Sequence, residues 1–298
     1  MLRHGNPTPA PPARVVVMGA GGFVGGAIAA RLERDRIPVV RLGRRDVDLL
    51  APDGADRLAA QLCPEDVLVA TSALAPCRSP LMLRDNITMV AAIARAAASI
   101  PPTQFVNISS DAVYADSPAP LTETSARAPE SLHGVMHLAR EIILTSEISA
   151  PLVMLRPSLL YGAADPHNGY GPNRFRRLAE AGEPIVLFGQ GEEQRDHVLI
   201  DDVAELAARV IYHRSTGTLN IATGQTASFC EIAEMVVRLS GGSVPIRETP
   251  RTGPMPHNGY RPFDIAACRT AFPDFAFVPL EQGLKETIAE ARLAPVTA

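Results

Sequence analysis

The sequence has almost no lysine. Of its 28 basic residues only Lys285 is lysine, and all the others are arginine. Residues 1–284 therefore contain no motif that depends on a lysine ammonium. Cysteine is also sparse, and the absence of any CxxC pair means that the sequence indicates neither a zinc knuckle nor a redox dithiol, which fits a reducing cytoplasm. The four separated cysteines are Cys63, Cys77, Cys230 and Cys268.

An excess of positive charge and long apolar runs are missing as well. The formal net charge is −4 and the pI is about 6.0, so no global attraction draws the chain to nucleic acid or to an anionic membrane surface. The uncharged stretch at residues 15–30, which no other stretch exceeds in length, is interrupted by glycines and is shorter than the roughly 20 apolar residues of a membrane span. We therefore expect a cytoplasmic protein whose partners are neither nucleic acid nor membrane.

From residue 14 onward, short β-branched runs alternate with helix-length amphipathic stretches. This pattern is typical of a parallel sheet covered by helices on both faces. Right-handed crossovers then predict an α/β fold with a Rossmann-like, doubly wound sheet. The predicted strands are residues 14–18, 38–42, 67–70, 104–108, 152–155 and 185–188. The predicted helices are residues 22–34, 54–62, 80–100, 130–149, 174–181, 201–213, 228–239 and 280–291.

The chain divides into three parts on composition. Residues 1–13 are rich in proline, which cannot continue a helix or donate to a sheet, so we expect a disordered tail. Residues 14–160 carry the regular alternation and form the predicted Rossmann domain. Residues 161–298 form mainly a smaller C-terminal region, with some segments returning to the Rossmann domain.

A glycine-rich turn follows the first predicted strand directly. Gly19, Gly22 and Gly25 have the spacing GxxGxxG, and a helix begins within the turn. Glycine allows positive φ and lets backbone amides approach a pyrophosphate, while the helix N-terminus supplies partial positive charge. This strand–turn–helix context favours a dinucleotide site over a purely steric use of glycine. The expected contacts are Gly19, Gly22, Phe23, Val24, Gly25 and, beyond the third strand, Ala73.

Two arginines follow the second predicted strand, where a protein specific for NAD carries an acidic residue. Arg44 and Arg45 can pair bidentately with a 2′-phosphate, which a carboxylate would repel. The sequence therefore favours NADP(H) as cofactor, with NAD(H) as the alternative. Two other interpretations stay open: the arginines form a solvated basic corner, or Asp46 or Asp48 binds the ribose or the adenine.

Several motifs together resemble those of the extended short-chain dehydrogenase/reductase family over about residues 14–290. Besides the glycine turn, they are NISSDAVY at 107–114, LRP at 155–157, YG at 161–162, LFGQG at 187–191, RDHV at 195–198, DDVA at 201–204, RPFD at 261–264 and LEQGL at 280–284. The resemblance implies an NAD(P)-dependent enzyme of the epimerase, dehydratase or reductase type that acts on a nucleotide-activated sugar. It also implies that the region after residue 160 binds that sugar.

The sequence departs from the family at the catalytic helix. In the family a Ser or Thr ends a strand, and a Tyr with a Lys four residues later transfers the proton and holds the nicotinamide ribose from one helix face. Ser110 matches the first of these positions. His133 and His137 stand at the positions of the Tyr and the Lys. Because no lysine lies in this half of the chain, a misaligned YxxxK motif is excluded.

Three accounts of this site follow. In the first, His133 exchanges the proton, since an imidazole titrates near neutrality, and His137 binds the nicotinamide ribose. In the second, the site carries out non-redox catalysis or uses another proton donor, such as Tyr170. In the third, the protein is an inactive binding protein for NADP and a sugar nucleotide. The first account is the working hypothesis.

The residues around the two histidines narrow the chemistry. Asp111 follows Ser110, and the resemblance implies that an acidic residue at this position supplies or relays a proton. The next residue, Ala112, cannot remove a proton, which disfavours a dehydratase. The short connection after the second predicted strand, together with Ser110 and Asp111, resembles the 4-keto reductase branch more than the 4-epimerases. The two histidines, with Glu141 on the same face, could also hold a metal, but no HExxH motif is present and no third ligand can be placed. No metal is expected.

The substrate contacts follow from the resemblance. Arg195 matches an arginine that binds the diphosphate of the nucleotide sugar, and Arg261 lies near the expected second contact, where guanidinium groups suit a diphosphate. Tyr170 lies on the loop that lines the same site. The alternative for Arg195 is a salt bridge to Asp196 or Asp202. The resemblance also implies a homodimer, formed through the helices at residues 80–100 and 133–149.

Overall fold

The computed structural model describes residues 2–242 and 244–293. Met1, in the predicted tail, and Ser243 and residues 294–298, in the predicted C-terminal region, lie outside the described residues. The strands are β1 (Arg14–Met18), β2 (Val39–Leu42), β3 (Asp66–Ala70), β4 (Gln104–Ile108), β5 (Leu152–Pro157), β6 (Leu159–Tyr161), β7 (Ile185–Phe188), β8 (Gln194–Leu199), β9 (Gly217–Ile221), β10 (Thr226–Ser228), β11 (Ile246–Thr249) and β12 (Tyr260–Arg261). The α-helices are α1 (Phe23–Arg34), α2 (Gly54–Ala59), α3 (Pro80–Ser99), α4 (Leu132–Glu147), α5 (Pro172–Ala181), α6 (Ile200–Tyr212), α7 (Phe229–Ser240), α8 (Ala266–Ala271) and α9 (Leu280–Leu293).

Six parallel strands form the central sheet in the order β2-β1-β3-β4-β5-β9. Successive side chains of a strand point to opposite faces. In β1, Val15 and Val17 pack with α1 and α6, while Val16 and Met18 pack in a second core with α3. Both faces are therefore apolar and covered, which confirms the predicted doubly wound α/β fold. Because all six strands run in one direction, their carboxyl ends meet at one edge.

The chain after β6 builds a smaller layer beside that edge. Strand β8 pairs with β6, β10 and β12, and β7 pairs with β11. Helices α5, α7 and α9 share a third core with these strands. Helix α6 and β9 return to the central sheet. The division of the chain into two domains near residue 160 stays a prediction. Within the described ranges, no helix has the length and apolar character needed to cross a membrane.

The described part of the N-terminal tail is ordered, so the expectation of a disordered tail is wrong for residues 2–13. Arg3 and Thr216 exchange two backbone hydrogen bonds of 2.9 and 2.8 Å. His4 stacks on His213 with 4.3 Å between ring centroids. Proline excludes helix and sheet interior from this segment, but it does not prevent an extended segment from pairing with the end of another element. The tail therefore docks where α6 turns into β9.

Candidate active site

The turn after β1 has the geometry that a bound pyrophosphate requires. Gly19 has a φ of +98°, in the region that favours glycine. A Cβ on Gly25 would lie only 2.3 Å from the carbonyl oxygen of Gly19, so glycine alone fits there. The Gly22 amide donates to the same carbonyl at 2.9 Å. Helix α1 begins at Phe23, and its first backbone amides face the turn, which suits an anion.

A cavity of about 870 Å³ extends from this turn to the C-terminal region. It lies at the carboxyl ends of the central strands, where ligands of such sheets bind. The structure thus brings most of the predicted site residues to one place. They are Gly19, Gly22, Phe23, Val24, Gly25, Ala73, Ser110, Asp111, His133, His137, Tyr170, Arg195 and Arg261.

The predicted 2′-phosphate contacts lie outside that cavity, in an exposed corner after β2. Arg44 contacts Asp48 at 3.3 Å, and 78 % of the Arg44 side chain is exposed. Asp48 also accepts a hydrogen bond from the Leu50 amide at 3.0 Å, which lowers the pKa of this carboxyl from its ordinary value. Arg45 is exposed beside them. The roles of these three charged residues toward a 2′-phosphate or ribose stay predictions.

Helix α4 carries both histidines on one face. The Ser131 hydroxyl caps the helix by accepting from the Gly134 amide at 3.1 Å. A Cβ on Gly134 would lie 2.2 Å from the carbonyl oxygen of Ala112, so the helix start packs directly against the turn that follows β4. The rings of His133 and His137, one helical turn apart, meet edge to face with 4.7 Å between centroids.

His133 lies at the cavity wall with its protonation biased toward the neutral form. Burial lowers the pKa of His133; the Asp111 carboxylate opposes this shift and His167 adds to it. The Cys77 amide donates to Nδ1 of His133 at 3.4 Å. Since Nδ1 faces a donor, the neutral ring places its proton on Nε2.

His137 is more deeply buried and more firmly neutral. Burial lowers the pKa of His137 well below its ordinary value, and the nearby His133 and Arg140 lower it further. Nδ1 of His137 has no hydrogen-bond partner within the part of the chain that the structure describes. A buried imidazole without a partner is ready to bond a polar group of a ligand in the cavity.

Ser110 and Asp111 follow β4 and differ in their freedom. The Ser110 hydroxyl accepts from the Ala112 amide at 3.1 Å and lies 3.3 Å from Oδ1 of Asp111. Oδ2 of Asp111 accepts from Nε of Arg261 at 2.9 Å, and its carbonyl accepts from Nη2 at 2.7 Å. The hydroxyl can therefore turn toward a ligand, whereas the carboxylate is held by an ion pair.

The carboxylate on the same helix face as the two histidines is engaged elsewhere. Glu141 forms a bidentate pair with Arg156, at 2.7 and 2.6 Å, and accepts from the Ser109 hydroxyl at 2.6 Å. The pair is buried on both sides. Residues 2–242 and 244–293 contain no group of three or more His, Cys, Asp and Glu side chains that could hold a metal ion.

The two arginines of the C-terminal region already have carboxylate partners. Arg195 pairs with Glu193 and donates to the carbonyl oxygens of Gln194 at 2.7 Å and Pro256 at 2.6 Å. The alternative pairing with Asp196 or Asp202 is wrong, because Glu193 lies on the same side of the chain two residues away. Arg261 pairs with Asp116 at 3.0 Å as well as with the carboxylate after Ser110.

Tyr170 lines the cavity with a hydroxyl that is already bonded. It accepts from the Phe188 amide at 3.0 Å, and its ring packs against Phe175, Phe188 and Phe229. Burial raises the pKa of this phenol. The hydroxyl is the acceptor in this bond and keeps its own hydrogen, so the roles of Tyr170 as substrate contact or alternative proton donor stay predictions.

Three residues near the site escaped the sequence analysis. Cys77 contacts His133 from a loop that no motif marks. His197 lines the cavity, and neither ring nitrogen has a partner among the described residues. Arg140 carries the one usable signal, because it follows His137 by three residues and so shares its helix face.

The model of the NAD dependent epimerase/dehydratase family matches residues 15–222. The chain belongs to this family. It is an NAD(P)-dependent enzyme of the extended short-chain dehydrogenase/reductase type, which confirms what the motifs implied. The site fits the family's cofactor, because Gly19 and Gly25 allow the tight turn before α1, where no side chain could be accommodated, and both line the cavity at the start of that helix.

Known relatives agree with this assignment. The chain is similar to the dTDP-4-dehydro-6-deoxy-D-allose reductase of Streptomyces bikiniensis, with 26 % identity over 92 % of this chain and 94 % of the reductase. A Thermus thermophilus UDP-glucose 4-epimerase in complex with NAD has the same fold, with a TM-score of 0.81, 21 % identity and coverage of 94 % and 99 %. So does a Naegleria fowleri GDP-L-fucose synthetase bound to NADP, with a TM-score of 0.82, 17 % identity and coverage of 96 % of both chains.

Proposed function

We propose that the protein catalyses an NAD(P)-linked reduction or epimerisation of a nucleotide-activated sugar. The observation that carries this proposal is the single cavity that joins the glycine turn to Ser110, His133 and the arginines of the C-terminal region. The volume of this cavity, about 870 Å³, lies within the range of about 300–1,000 Å³ typical of small-molecule sites. The names of the relatives support a nucleotide sugar as substrate.

The glycine turn and α4 hold the cofactor in this proposal. The first amides of α1 bind the pyrophosphate, with Phe23, Val24 and Ala73 along the wall. The neutral ring of His137 exchanges a hydrogen bond with the nicotinamide ribose. When bound, the nicotinamide supplies or accepts a hydride. Arg44 and Arg45 favour NADP(H) over NAD(H). Both side chains are exposed in the corner after β2, where they can pair with a 2′-phosphate.

Ser110 and His133 act on the reacting oxygen of the sugar. The Ser110 hydroxyl orients the carbonyl or hydroxyl group through a hydrogen bond. Protonated His133 gives a proton to that oxygen during reduction and becomes neutral, and neutral His133 takes a proton from it during oxidation, as a general acid and base. Asp111 stays paired with Arg261 and tunes the protonation of His133 through its charge.

Arg195 and Arg261 bind the diphosphate of the sugar nucleotide. Both guanidinium groups line the cavity and are buried, so a diphosphate there gains strong charge-assisted hydrogen bonds. The ligand has to compete with Glu193, Asp111 and Asp116 for these groups.

A second candidate function is a non-redox enzyme or an inactive binding protein on the same fold. One observation favours it: burial holds the pKa of both imidazoles below its ordinary value, so neither His133 nor His137 is a ready acid at neutral pH. Such a protein binds the dinucleotide and the sugar nucleotide in the same cavity without hydride transfer.

We also propose a homodimer that buries the outer faces of α3 and α4. These two helices pack against each other, and large apolar side chains stand exposed on them. Leu81 is 64 % exposed, Val135 38 % and Ile142 56 %. The cytoplasmic location expected from the cysteine pattern stays a prediction.

Absorbance of the reduced nicotinamide separates the two candidate functions. The protein is mixed with NADPH or NADH and with a series of nucleoside-diphosphate 4-keto sugars. A fall in absorbance that requires both ligands supports the enzyme. Tight binding of both ligands, measured by calorimetry, without any change in absorbance supports the binding protein.

Removing both Arg44 and Arg45 by alanine substitution should weaken NADPH binding by about tenfold and leave NADH binding unchanged.

A further inference from the structure

A buried guanidinium without an acid partner lies behind the histidine pair. Arg140 is only 2 % exposed. Its Nε donates to Oδ1 of Asn107 at 2.6 Å, Nη1 to the Ser72 carbonyl at 2.7 Å and Nη2 to the Ala70 carbonyl at 3.3 Å. All three acceptors are neutral. Burial lowers the pKa of Arg140 to about 10, so the group is still a cation at neutral pH.

Arg140 differs in this respect from the other buried arginines that the structure describes. Arg156, Arg176, Arg195 and Arg261 each lie within ion-pair distance of a carboxylate. No carboxylate lies within that distance of Arg140 in residues 2–242 and 244–293. A buried charge that is unpaired costs several kcal/mol in general, and here only neutral oxygens offset it. The fold thus keeps a net positive charge at this place.

The place is the back of the proposed dinucleotide site. Ala70 ends β3, Asn107 lies in β4, and Arg140 belongs to α4, so the guanidinium ties three elements together just below the cavity. Thr71 and Ala73, on either side of Ser72, line the cavity. His137, three residues before Arg140 on the same face, lines it too.

We propose that Arg140 is a positioning residue that fixes this wall and makes the site favour the reduced, uncharged nicotinamide over the oxidised, cationic one. The inference rests on the proposed dinucleotide binding in this cavity. In a low-dielectric interior, two positive charges repel each other strongly at short range. The wall offers little to offset that repulsion, since the imidazoles beside Arg140 are neutral and Asp111, the acid that faces His133, is paired with Arg261.

The test compares affinities for the oxidised and the reduced dinucleotide in four proteins. Isothermal calorimetry gives both Kd values for the wild type, Arg140→Met, Arg140→Lys and Asn107→Asp. The last variant keeps Arg140 and the size of its partner but places a carboxylate where Nε now donates to an amide oxygen. The ratio of the two Kd values reports charge, whereas a purely structural change weakens both forms alike.

We expect the wild type to bind the reduced form more tightly. Arg140→Met and Asn107→Asp should each move the ratio toward the oxidised form by about tenfold, and Arg140→Lys should keep it within about twofold. A ratio that is the same in Asn107→Asp as in the wild type would overturn the inference even if Arg140→Met fails to fold, and it would leave the proposed function intact. Failure of the wild type to bind either form would overturn both.

Discussion

The two walls of the cavity treat positive charge in opposite ways. On the cofactor wall, built from α1, β3 and α4, Arg140 is buried among neutral oxygens. On the substrate wall, Arg195 and Arg261 are each paired with a carboxylate. The cofactor wall therefore carries an unpaired positive charge, whose desolvation costs free energy of folding. The substrate wall spares that cost, but a diphosphate has to displace an acid before it binds. Predictions that alter one wall and spare the other test this difference.

The largest effect is expected at the boundary of the two walls. His133→Ala should lower kcat by about two to four orders of magnitude, the usual contribution of a general acid and base. The affinity for NADP should change little, because the glycine turn is intact. Steady-state kinetics and calorimetry check both parts. His133→Gln can still donate a hydrogen bond, so a kcat near that of the wild type in this variant would argue against proton exchange.

Removing a paired arginine from the substrate wall should affect one ligand only. Arg195→Met is expected to raise KM for the sugar nucleotide by about 10- to 100-fold with little change in the Kd of the dinucleotide. Arg251 is the matched control, since it also contacts Glu193, at 3.4 Å, but does not line the cavity. Equal effects of Arg195→Met and Arg251→Met on KM would contradict a diphosphate role for Arg195.

Acid stability should depend on an imidazole of the substrate wall. Burial lowers the pKa of His197 from 6.5 to about 3, so the unfolded chain takes up a proton that the folded protein refuses. The stabilising contribution is present above pH 6.5 and is lost as the pH falls toward 3. The free energy of unfolding of the wild type should drop by about 2 kcal/mol from this group between pH 7 and 5.

His197→Phe should remove this dependence while filling the same space beside Phe229. Urea unfolding of both proteins at the two pH values gives the comparison. The same drop in both would show that His197 is not the neutral group in question. Unfolding free energies taken at pH 8 serve as the control for any loss of packing.

The smallest effect on ligand affinity is expected when the carboxylate partner of Arg195 is replaced and Arg195 itself is kept. Glu193→Gln keeps the shape of the Arg195 partner but removes its charge, so Arg195 becomes available to a diphosphate. The Kd of a nucleoside diphosphate should fall by about three- to tenfold. An unchanged or higher Kd would mean that the pairing with Glu193 orients Arg195 and does not compete with the ligand.

Five of the six strands of the central sheet were predictable because their signals are local, whereas β9 was not predicted. Strand β1 was expected at residues 14–18 and is found there, since a β-branched run followed by glycines permits little else. The cavity also gathers the residues that the motifs marked, from Gly19 to Arg261. Motif positions at the ends of parallel strands converge once the sheet order is fixed.

The rest depends on contacts between distant segments. Strand β8 has the sequence QRDHVL, in which apolar and polar residues do not alternate. It was not predicted, since its pairing with β6 and β10, and not its own pattern, makes it a strand. The alternative carboxylate partners of Arg195 were also misassigned, although Glu193 is only two residues away, because sequence order does not show which carboxylate faces the guanidinium. Arginine is usually a surface residue, and only the packing of α4 on β3 and β4 shows that Arg140 is buried.

Transfer of a labelled hydride tests the central claim most directly. The protein is incubated with reduced dinucleotide that carries deuterium at the transferable position of the nicotinamide, together with a nucleoside-diphosphate 4-keto sugar. We predict that mass spectrometry finds deuterium on the sugar carbon of the product. We also predict that the His133→Ala variant forms this labelled product much more slowly. Binding of both ligands with no deuterium in any product would contradict the account.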